Sequence, residues 1–346
     1  MSSDGRTTEM SKIKKILIAG SGSIGQRHLT LARKLLPSAE IKILRSNLSG
    51  IGQQEVDLKN EFTCVNQAVD FSPCIAIIAN AAPHHLRIAL TLAKHGTHLL
   101  IEKPLSNTTD GVAELLRICE DKNITLACGY NLRYLSSLNY FREKINEQLI
   151  GDLYSVRVEV GQRLTEWRKN IDYRATVSAR KALGGGVLLE LSHEIDYVLW
   201  LFGMAEWVSA SLTKQSNLQI DVEDTAHLLM GFPHKETSKK LIVNLTMDFA
   251  RIDKTRTCVV TGSLGTLKWD AIRNEVLLYK STDTEWETVY SAQAEDTYHL
   301  EWVNFLDAID RKVKPKVTGE DGLRVLVVAE AARLSDETHQ RVNINK

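Results

Sequence analysis

Three glycines near the start of the chain have a spacing that can do chemistry. Gly20, Gly22 and Gly25 form G-x-G-x-x-G between the apolar run ILIAG and a helical pattern. In such a turn the first glycine permits the bend, the second admits phosphates to the backbone, and the third lets the helix pack on the strand. The N–H groups at the helix start, here those of Ser23 and Ile24, attract phosphate charge. The turn therefore predicts dinucleotide binding, although without a flanking strand and helix this spacing is usually only a tight turn.

The end of the second predicted strand indicates which dinucleotide binds. NAD-binding proteins usually place Asp or Glu about 20 residues beyond the glycines, where it binds the ribose hydroxyls. Here the strand IKILR is followed by Ser46, and Arg45 can hold a 2′-phosphate through charge-assisted hydrogen bonds. The alternative is a surface arginine after a strand. We therefore expect NADP or NAD as the cofactor, with NADP favoured over NAD.

A lysine directly before a proline ends the fifth predicted strand, HLLIEKP. Pro104 excludes helical geometry at Lys103 and keeps it at the carboxyl end of the strand, where open α/β sheets bind ligands. A lysine that is desolvated there can exchange a proton with a carbinol or carbonyl oxygen. An isolated Lys-Pro pair is usually part of a surface loop, so this interpretation depends on the glycine turn.

A second polar group lies on one face of a predicted helix. With a step of about 100° per residue, Gly184–Gly203 forms one amphipathic helix. Its polar face comprises Glu190, His193, Glu194, Asp196 and Tyr197. Glu190 and His193 stand within side-chain reach of each other, and a carboxylate can orient an imidazole and keep it basic. The alternative is a polar face that only meets water.

The elements that must position these residues predict an α/β protein of two domains. From Ile13 to about Tyr130, short β-branched runs alternate with helical segments, as in βαβ units with a parallel sheet. Beyond Tyr130, alternating runs such as LIVNLTMDF predict an open, mostly antiparallel sheet, with a hairpin at TGSLGTLKW. The other predicted helices are Ile24–Leu36, His84–His95, Asp110–Lys122, Tyr298–Arg311 and Asp321–Thr338.

The predicted domain division has four parts. Residues 1–12 are expected to be disordered because they have almost nothing to bury. Residues 13–130 form an N-terminal Rossmann dinucleotide-binding domain, and residues 131–317 form a C-terminal α/β domain for substrate binding and oligomerisation. Residues 318–346 form a C-terminal helix that packs back on the Rossmann domain.

Composition disfavours several classes of protein. The 43 basic and 43 acidic side chains among 346 residues balance, which argues against nucleic acid or an anionic membrane as a partner. Five cysteines without a C-x-x-C pair predict neither a disulfide framework nor a metal site. The N-terminus is polar, and no apolar run reaches the roughly 18 residues of a membrane span. We expect a cytoplasmic protein.

Further segments carry a resemblance to a known family. They are IANAAPHHLRIALTLAKHGTHLLIEKPLS, GYNLRY and GGGVLLELSHEIDYVLWLFG, and with the glycine turn they resemble the Gfo/Idh/MocA family. Its members are nicotinamide-dependent oxidoreductases that act mostly on sugars, sugar nucleotides and cyclitols. The resemblance implies hydride transfer between nicotinamide and a carbinol or keto carbon of such a substrate. It also implies a homo-oligomer, either a dimer or a tetramer.

The resemblance implies roles for individual residues. Lys103 contacts the substrate oxygen beside the nicotinamide, and His193, with Asp196 in H-x-x-D, acts as acid and base. The family commonly has Asp four residues before this histidine, whereas here Glu190 precedes it by three, so a catalytic role of Glu190 depends on where the helix turns it. Further expected contacts are Asn80, Pro83, His85 and Glu102 to the cofactor, Asn131 and Arg133 to the substrate or nicotinamide, and Asp196 to the substrate. The alternative for Asn80, Pro83 and His85 is a loop that only precedes a helix.

The loop GQRLTEWRKNIDYR has no apolar period and is expected to lie over a surface or a cleft. Its residues Arg168 and Tyr173 suit a carboxylated or phosphorylated sugar, and they suit a subunit contact equally well. Two other functions stay open. Some proteins with this fold are regulators or sensors that bind dinucleotide without chemistry, and a structural α/β protein binds no cofactor.

Overall fold

The structure is a computed structural model that describes residues 13–45, 60–168, 171–233 and 240–344. The chain divides into two compact units. The first unit runs to Tyr130 and takes in Tyr298–Leu323, and the second comprises Asn131–Thr297 and the chain from Arg324 onward. Residues 1–12, expected to be disordered, lie outside the described part of the chain. The exact domain limits expected from the sequence stay a prediction.

The first unit contains the predicted parallel sheet. Its strands are β1 (Lys15–Ala19), β2 (Glu40–Leu44), β3 (Glu61–Phe62), β4 (Ile75–Ile78), β5 (His98–Ile101) and β6 (Leu126–Cys128). They lie in the order β3-β2-β1-β4-β5-β6, and every neighbouring pair is parallel. The direction in which strands are added reverses between β1 and β4, which is where open α/β sheets bind ligands beyond the carboxyl ends of the strands.

In the described part of the chain, four α-helices join these strands, because each parallel connection must return to the amino end of the sheet. They are α1 (Ser23–Leu35), α2 (Val65–Phe71), α3 (His85–Lys94) and α4 (Val112–Asp121). Leu29 and Ala32 on the inner face of α1 pack with Ile16 and Ile18 of β1 in one buried cluster. This packing fixes the amino end of α1 at the carboxyl end of β1.

The second unit contains a mixed, mostly antiparallel sheet of nine strands, as predicted. They are β7 (Leu153–Gly161), β8 (Trp207–Thr213), β9 (Thr225–Pro233), β10 (Lys240–Asp248), β11 (Thr255–Gly262), β12 (Gly265–Asp270), β13 (Glu275–Lys280), β14 (Glu287–Ser291) and β15 (Val342–Asn343). Their order is β14-β13-β12-β11-β7-β10-β9-β8-β15, and only β7 and β10 run parallel. The hairpin predicted at TGSLGTLKW joins β11 to β12.

Among the described residues between Tyr134 and Gly203, the second unit has three α-helices. They are α5 (Ser136–Asn146), α6 (Val187–Glu190) and α7 (His193–Phe202). The prediction of one continuous helix over Gly184–Gly203 is wrong. Gly184 and Gly186 have φ of +77° and +105°, which lie outside helical geometry, so the first helical residue is Val187. The helix then breaks at Leu191 and Ser192, because the N–H groups of Ser192 and Glu194 donate to carbonyls three residues back, of Leu189 and Leu191, rather than four.

The alternative given for this segment, a polar face that only meets water, does not hold. Glu194, Asp196 and Tyr197 are buried. Asp196 pairs with Arg133, and Glu194 lies 2.7 Å from Nε of Arg256, so each buried carboxylate faces a guanidinium. Buried charges persist when an opposite charge compensates them, and a helical pattern does not reveal a partner on another element.

The closing helices are α8 (Thr297–Arg311) and α9 (Gly319–Thr338), close to the predicted bounds. Trp302 and Phe305 of α8 belong to the buried cluster of the first unit. Just before α9, Val317 and Thr318 pair with the backbone of β6. Within the described ranges, no helix combines the length and the apolar character that crossing a bilayer requires.

A buried serine gives a test of the packing in the second unit. The Ser137 hydroxyl accepts a hydrogen bond from Trp269 Nε1 at 2.9 Å and donates one to Asn274 Oδ1. Ser137→Ala leaves both partners buried and unsatisfied, so we expect the free energy of unfolding to fall by about 1–3 kcal/mol. Urea denaturation followed by fluorescence measures it. Ser211→Ala on the exposed surface is the control and should stay within about 0.5 kcal/mol of wild type; equal losses in both variants contradict the prediction.

Candidate active site

The glycine turn connects β1 to α1 in the first unit. Gly20 has φ of +114°, and a Cβ there would lie 2.6 Å from the Ala79 carbonyl oxygen. A Cβ on Gly25 would lie 2.0 Å from the Gly20 carbonyl oxygen. Side chains are therefore excluded at both positions, because the backbone segments that they would meet are already in contact.

Gly22 differs from its two neighbours because a Cβ there would meet nothing within 4 Å. Gly22 is the N-cap of α1, where no side chain accepts a hydrogen bond from the helix N–H groups, and the first turn carries no acidic residue. Ser23 is exposed and Ile24 partly exposed beside it. An open, uncapped helix N-terminus carries partial positive charge, so these residues fit a diphosphate.

Asn80 follows β4 and lies against the glycine turn, since its backbone nitrogen is 2.8 Å from the Cβ position of Gly20. Both polar atoms of its side-chain amide are buried without a hydrogen-bond partner in the described chain. Buried polar atoms normally have partners, and a bound ligand is one way to supply them. This geometry supports, without testing, the expected cofactor contact of Asn80.

Pro83 and His85 lie just after Asn80. Pro83 is in the first turn of a short 3₁₀ helix, Ala82–His84, which precedes α3. The buried His85 ring lies between the carbonyl oxygens of Asn80, at 2.8 Å from Nε2, and Pro104, at 3.0 Å from Nδ1. Burial lowers the pKa of His85, although both carbonyls oppose this shift. His85 thus connects the loop after β4 to the loop after β5. Its contact with a cofactor stays a prediction.

Arg45 ends β2 next to a carboxylate that sequence reasoning missed. Strand β3 places Glu61 beside it, and Arg45 Nη1 donates to Glu61 Oε2 at 3.0 Å. The Arg45 side chain is 32% exposed, so part of the guanidinium stays accessible to a ligand. The charge that was expected to hold a 2′-phosphate is therefore partly compensated by Glu61. Ser46 lies outside the described residues.

Glu102 and Lys103 follow β5 at the carboxyl edge of the sheet. The buried Glu102 accepts a hydrogen bond from the Lys103 N–H at 3.2 Å through Oε2. Its Oε1 lies 2.8 Å from Nε2 of His28, which is fully buried on α1. Burial alone raises the pKa of Glu102, but the His28 hydrogen bond and the Lys103 charge outweigh it and hold that pKa below its ordinary value. The carboxylate is therefore ionised next to Lys103.

In the second unit, two predicted substrate residues bind each other. Arg133 donates from Nε to Asp196 Oδ2 at 2.9 Å and from Nη2 to Oδ1 at 2.6 Å, and both side chains are buried. The Arg133 guanidinium also lies 5.5 Å from the Trp200 ring. Asn131 is buried and donates to Thr297 Oγ1 at 3.1 Å. These contacts are structural, and substrate binding by these three residues stays a prediction.

His193 is the first residue of α7 and is partly exposed. Glu190 ends α6, and its Oε2 accepts a hydrogen bond from the Ser178 hydroxyl at 2.6 Å. Ser178 also lines a small pocket that contains both predicted loop residues. The pocket residues are Leu164, Trp167, Arg168, Ile171, Tyr173, Thr176 and Ser178. The structure therefore brings Glu190 close to the edge of the Arg168–Tyr173 pocket.

Sequence reasoning missed Glu61 and His28 near the predicted site. Glu61 lies on a strand of two residues, which is too short for a periodic signal. His28 had a readable signal, because it lies three residues after Gly25 on the buried face of α1 with Leu29 and Ala32. A polar residue in an apolar stripe indicates a specific partner.

Comparison with known proteins identifies the family. The profile "Oxidoreductase family, NAD-binding Rossmann fold" of GFO_IDH_MocA matches residues 14–130. The profile "Oxidoreductase family, C-terminal alpha/beta domain" matches residues 142–344, more than half of the chain.

Individual curated relatives share only about a quarter of their residues with this chain over the matched segment. Glucose-6-phosphate 3-dehydrogenase of Bacillus subtilis (strain 168) is 25% identical over 224 residues, which cover 63% of this chain and 62% of that protein. The scyllo-inositol 2-dehydrogenase (NADP(+)) IolW of the same organism is 27% identical over 46% of this chain and 44% of its own length. The matched segment thus spans less than two thirds of either curated relative.

Solved structures extend the likeness to the whole fold. A levoglucosan dehydrogenase in complex with NADH has a TM-score of 0.80 and 20% identity, and the match covers 96% of this chain and 99% of that one. At this identity the likeness concerns the fold. Because both family profiles match in chain order and together span most of the sequence, the chain belongs to the Gfo/Idh/MocA family of oxidoreductases.

Proposed function

We propose that this chain is an NAD(P)-dependent oxidoreductase that transfers a hydride between nicotinamide and a carbinol or keto carbon of a sugar, sugar nucleotide or cyclitol. The observation that carries the proposal is the open, uncapped start of α1 at Gly22, at the same sheet edge as Lys103. Family membership and relatives named as dehydrogenases of glucose 6-phosphate and scyllo-inositol support the reaction class.

The backbone of the glycine turn binds the diphosphate in this proposal. The N–H groups that open α1 donate to the phosphate oxygens, and Gly22 leaves room for their approach. Asn80 supplies a buried amide with free donor and acceptor atoms at the same edge. When bound, the nicotinamide supplies the hydride donor or acceptor, and this chain's residues supply orientation and proton transfer.

Lys103 moves the proton at the substrate oxygen. It donates that proton to a carbonyl oxygen during reduction and takes it from a hydroxyl during oxidation. The hydrogen bond from the Lys103 N–H to Glu102 Oε2 restrains the backbone at this residue. Gly129 leaves space for the backbone of Glu102 and Lys103, because a Cβ at residue 129 would lie 3.0 Å from Glu102 Cα and 3.1 Å from Lys103 N.

His193 is the second proposed acid and base, and Glu190 stays a proposal for orienting it. The hydrogen bond from Ser178 gives Glu190 a fixed position beside the pocket of Arg168 and Tyr173. An exposed arginine beside aromatic rings suits a carboxylate or phosphate on the substrate. We therefore propose an acidic sugar derivative as the substrate class.

The remaining expectations concern the state of the protein in the cell. A homo-oligomer formed through the open sheet of the second unit, a cytoplasmic location and the absence of nucleic-acid partners all stay predictions.

The first test of the function concerns Gly22. Gly22→Ala places a methyl group where the phosphates approach, in space that is empty of protein atoms. We expect NADPH and NADH to bind at least tenfold more weakly, about 1.4 kcal/mol, with the fold retained by circular dichroism. Fluorescence titration of the reduced nicotinamide measures this. Lys34→Ala at the other end of α1 is the control, and unchanged affinity in Gly22→Ala contradicts the proposed binding mode.

The second test concerns Lys103. Lys103→Met keeps a long side chain and removes the proton-transfer group, so we expect kcat to fall about 10²–10⁴-fold while NADPH still binds. Absorbance assays with glucose 6-phosphate, scyllo-inositol and levoglucosan measure turnover, and the exposed Lys94→Met is the control. Full activity in Lys103→Met contradicts the catalytic role. A wild-type protein that binds NADPH and turns over none of these sugars supports a regulator instead.

The third test concerns cofactor preference, which we propose is for NADP through Arg45. Arg45→Ala should weaken NADPH binding at least tenfold and leave NADH binding within about threefold. Glu61→Gln removes the competing carboxylate, so NADPH should bind more tightly. If Glu61 instead accepts hydrogen bonds from the ribose hydroxyls, Glu61→Gln weakens NADH binding, and the proposed NADP preference is wrong.

A further inference from the structure

A buried cluster lies behind Glu102 in the first unit. His28, Glu102 and Glu301 each place a polar side-chain atom within 4.8 Å of those of the other two, and all three side chains are buried. Trp302, next to Glu301 on α8, donates from Nε1 to His28 Nδ1 at 2.8 Å. The cluster thus joins α1, the end of β5 and α8.

The hydrogen bond from Trp302 sets the tautomer of His28. An indole N–H only donates, so His28 Nδ1 must accept and carries no hydrogen. The hydrogen of the neutral ring is then on Nε2, which faces Glu102 Oε1 at 2.8 Å and donates to it.

The same reasoning argues against a metal ion. One imidazole and two carboxylates form a donor set that suits a divalent cation. A cation bound at Nε2 would move the ring hydrogen to Nδ1, where it would point at the Trp302 N–H. The two carboxyl groups must therefore be accommodated in another way.

In the described part of the chain, the Glu301 carboxyl group has no hydrogen-bond donor. The residue is 1% exposed, and both carboxylate oxygens are buried without a hydrogen-bond partner in the described chain. The titratable groups around it are Glu102, His28 and Tyr298. Burial raises the pKa of Glu301 well above its ordinary value, and the Glu102 charge raises it further. Arg27, the cation beside Tyr298, lies over the face of that ring, 4.5 Å from its centroid.

We propose that Glu301 is a buried carboxylic acid that keeps its proton at neutral pH and shares it with Glu102, so that the two carboxyl groups carry one negative charge between them. Glu102 holds this charge because His28 and the Lys103 N–H both donate to it. The protonated Glu301 donates a hydrogen bond from its hydroxyl to the Glu102 carboxylate. In ionised form, the buried oxygens of Glu301 would have no hydrogen-bond partner in the described chain.

The consequence for Lys103 rests on the proposed function. In that proposal Lys103 moves the proton at the substrate oxygen, and a neutral Glu301 leaves a single negative charge, that of Glu102, beside it. Glu301 touches neither substrate nor cofactor in this proposal. It is a positioning residue that sets the charge seen by Lys103.

Infrared spectroscopy of the wild-type protein at neutral pH tests the proposal without any need for activity. A protonated carboxyl group absorbs at higher frequency than amide or carboxylate groups, so its band is resolved. We expect one such band that exchanges slowly with deuterium, is lost in Glu301→Gln and is retained in Glu120→Gln, an exposed control on α4. A spectrum without this band, or a band lost in Glu102→Gln and kept in Glu301→Gln, overturns the assignment.

The pH dependence of stability is an independent measurement. A carboxyl group with a raised pKa in the folded state binds a proton that the unfolded chain releases above about pH 4.3. Stability therefore falls as pH rises towards the folded pKa. The quantity to compare is the ratio of two unfolding equilibrium constants, that of wild type over that of Glu301→Gln. We expect this ratio to rise about tenfold per pH unit between about pH 5.5 and about pH 7. A flat ratio means that Glu301 is ionised in the folded protein and overturns the proposal.

The pH profile of kcat/KM separates this proposal from the proposed function. Glu102→Gln removes the ionised carboxylate of the pair, so the profile should move along the pH axis in that variant. Glu301→Gln removes no charge and should leave the position of the profile in place. A profile that moves equally in both variants contradicts the single shared charge. If no turnover is found, the infrared and stability results still decide the state of Glu301.

Discussion

The hydrogen bond between His28 and Glu102 joins the two parts of the candidate site in the first unit. His28 lies on α1, the helix that the glycine turn begins, and Glu102 directly precedes Lys103. Both side chains are buried, so the bond is not exchanged for water and fixes the helix against the end of β5. A phosphate site and a proton-transfer lysine at one sheet edge depend on this link.

Much of this arrangement was predictable from the sequence, because its signals are local. The glycine turn and the Glu102–Lys103 pair are short motifs that lie directly after predicted strands. The parallel strands follow from short β-branched runs that alternate with helical segments. Periodicity also predicts those strands of the second unit in which one face is buried. In β10, for example, Val243 and Leu245 are buried and Asn244 between them is exposed.

The missed features are contacts between distant residues. Glu61 reaches Arg45 because β3 pairs with β2, and Glu301 reaches Glu102 because α8 returns to the first unit near the end of the chain. Neither pairing follows from composition or spacing. The helix prediction over Gly184–Gly203 failed for a related reason, since periodicity gave no weight to glycines with positive φ at its start.

Binding at the start of α1 is the central claim, and amide chemical shifts report on it residue by residue. In a titration of the ¹⁵N-labelled protein with NADPH, the account predicts that the largest shifts occur at Gly22, Ser23 and Ile24, whose N–H groups meet the phosphates. Saturable shifts confined to other residues, or no shifts at the turn at millimolar NADPH, would contradict it.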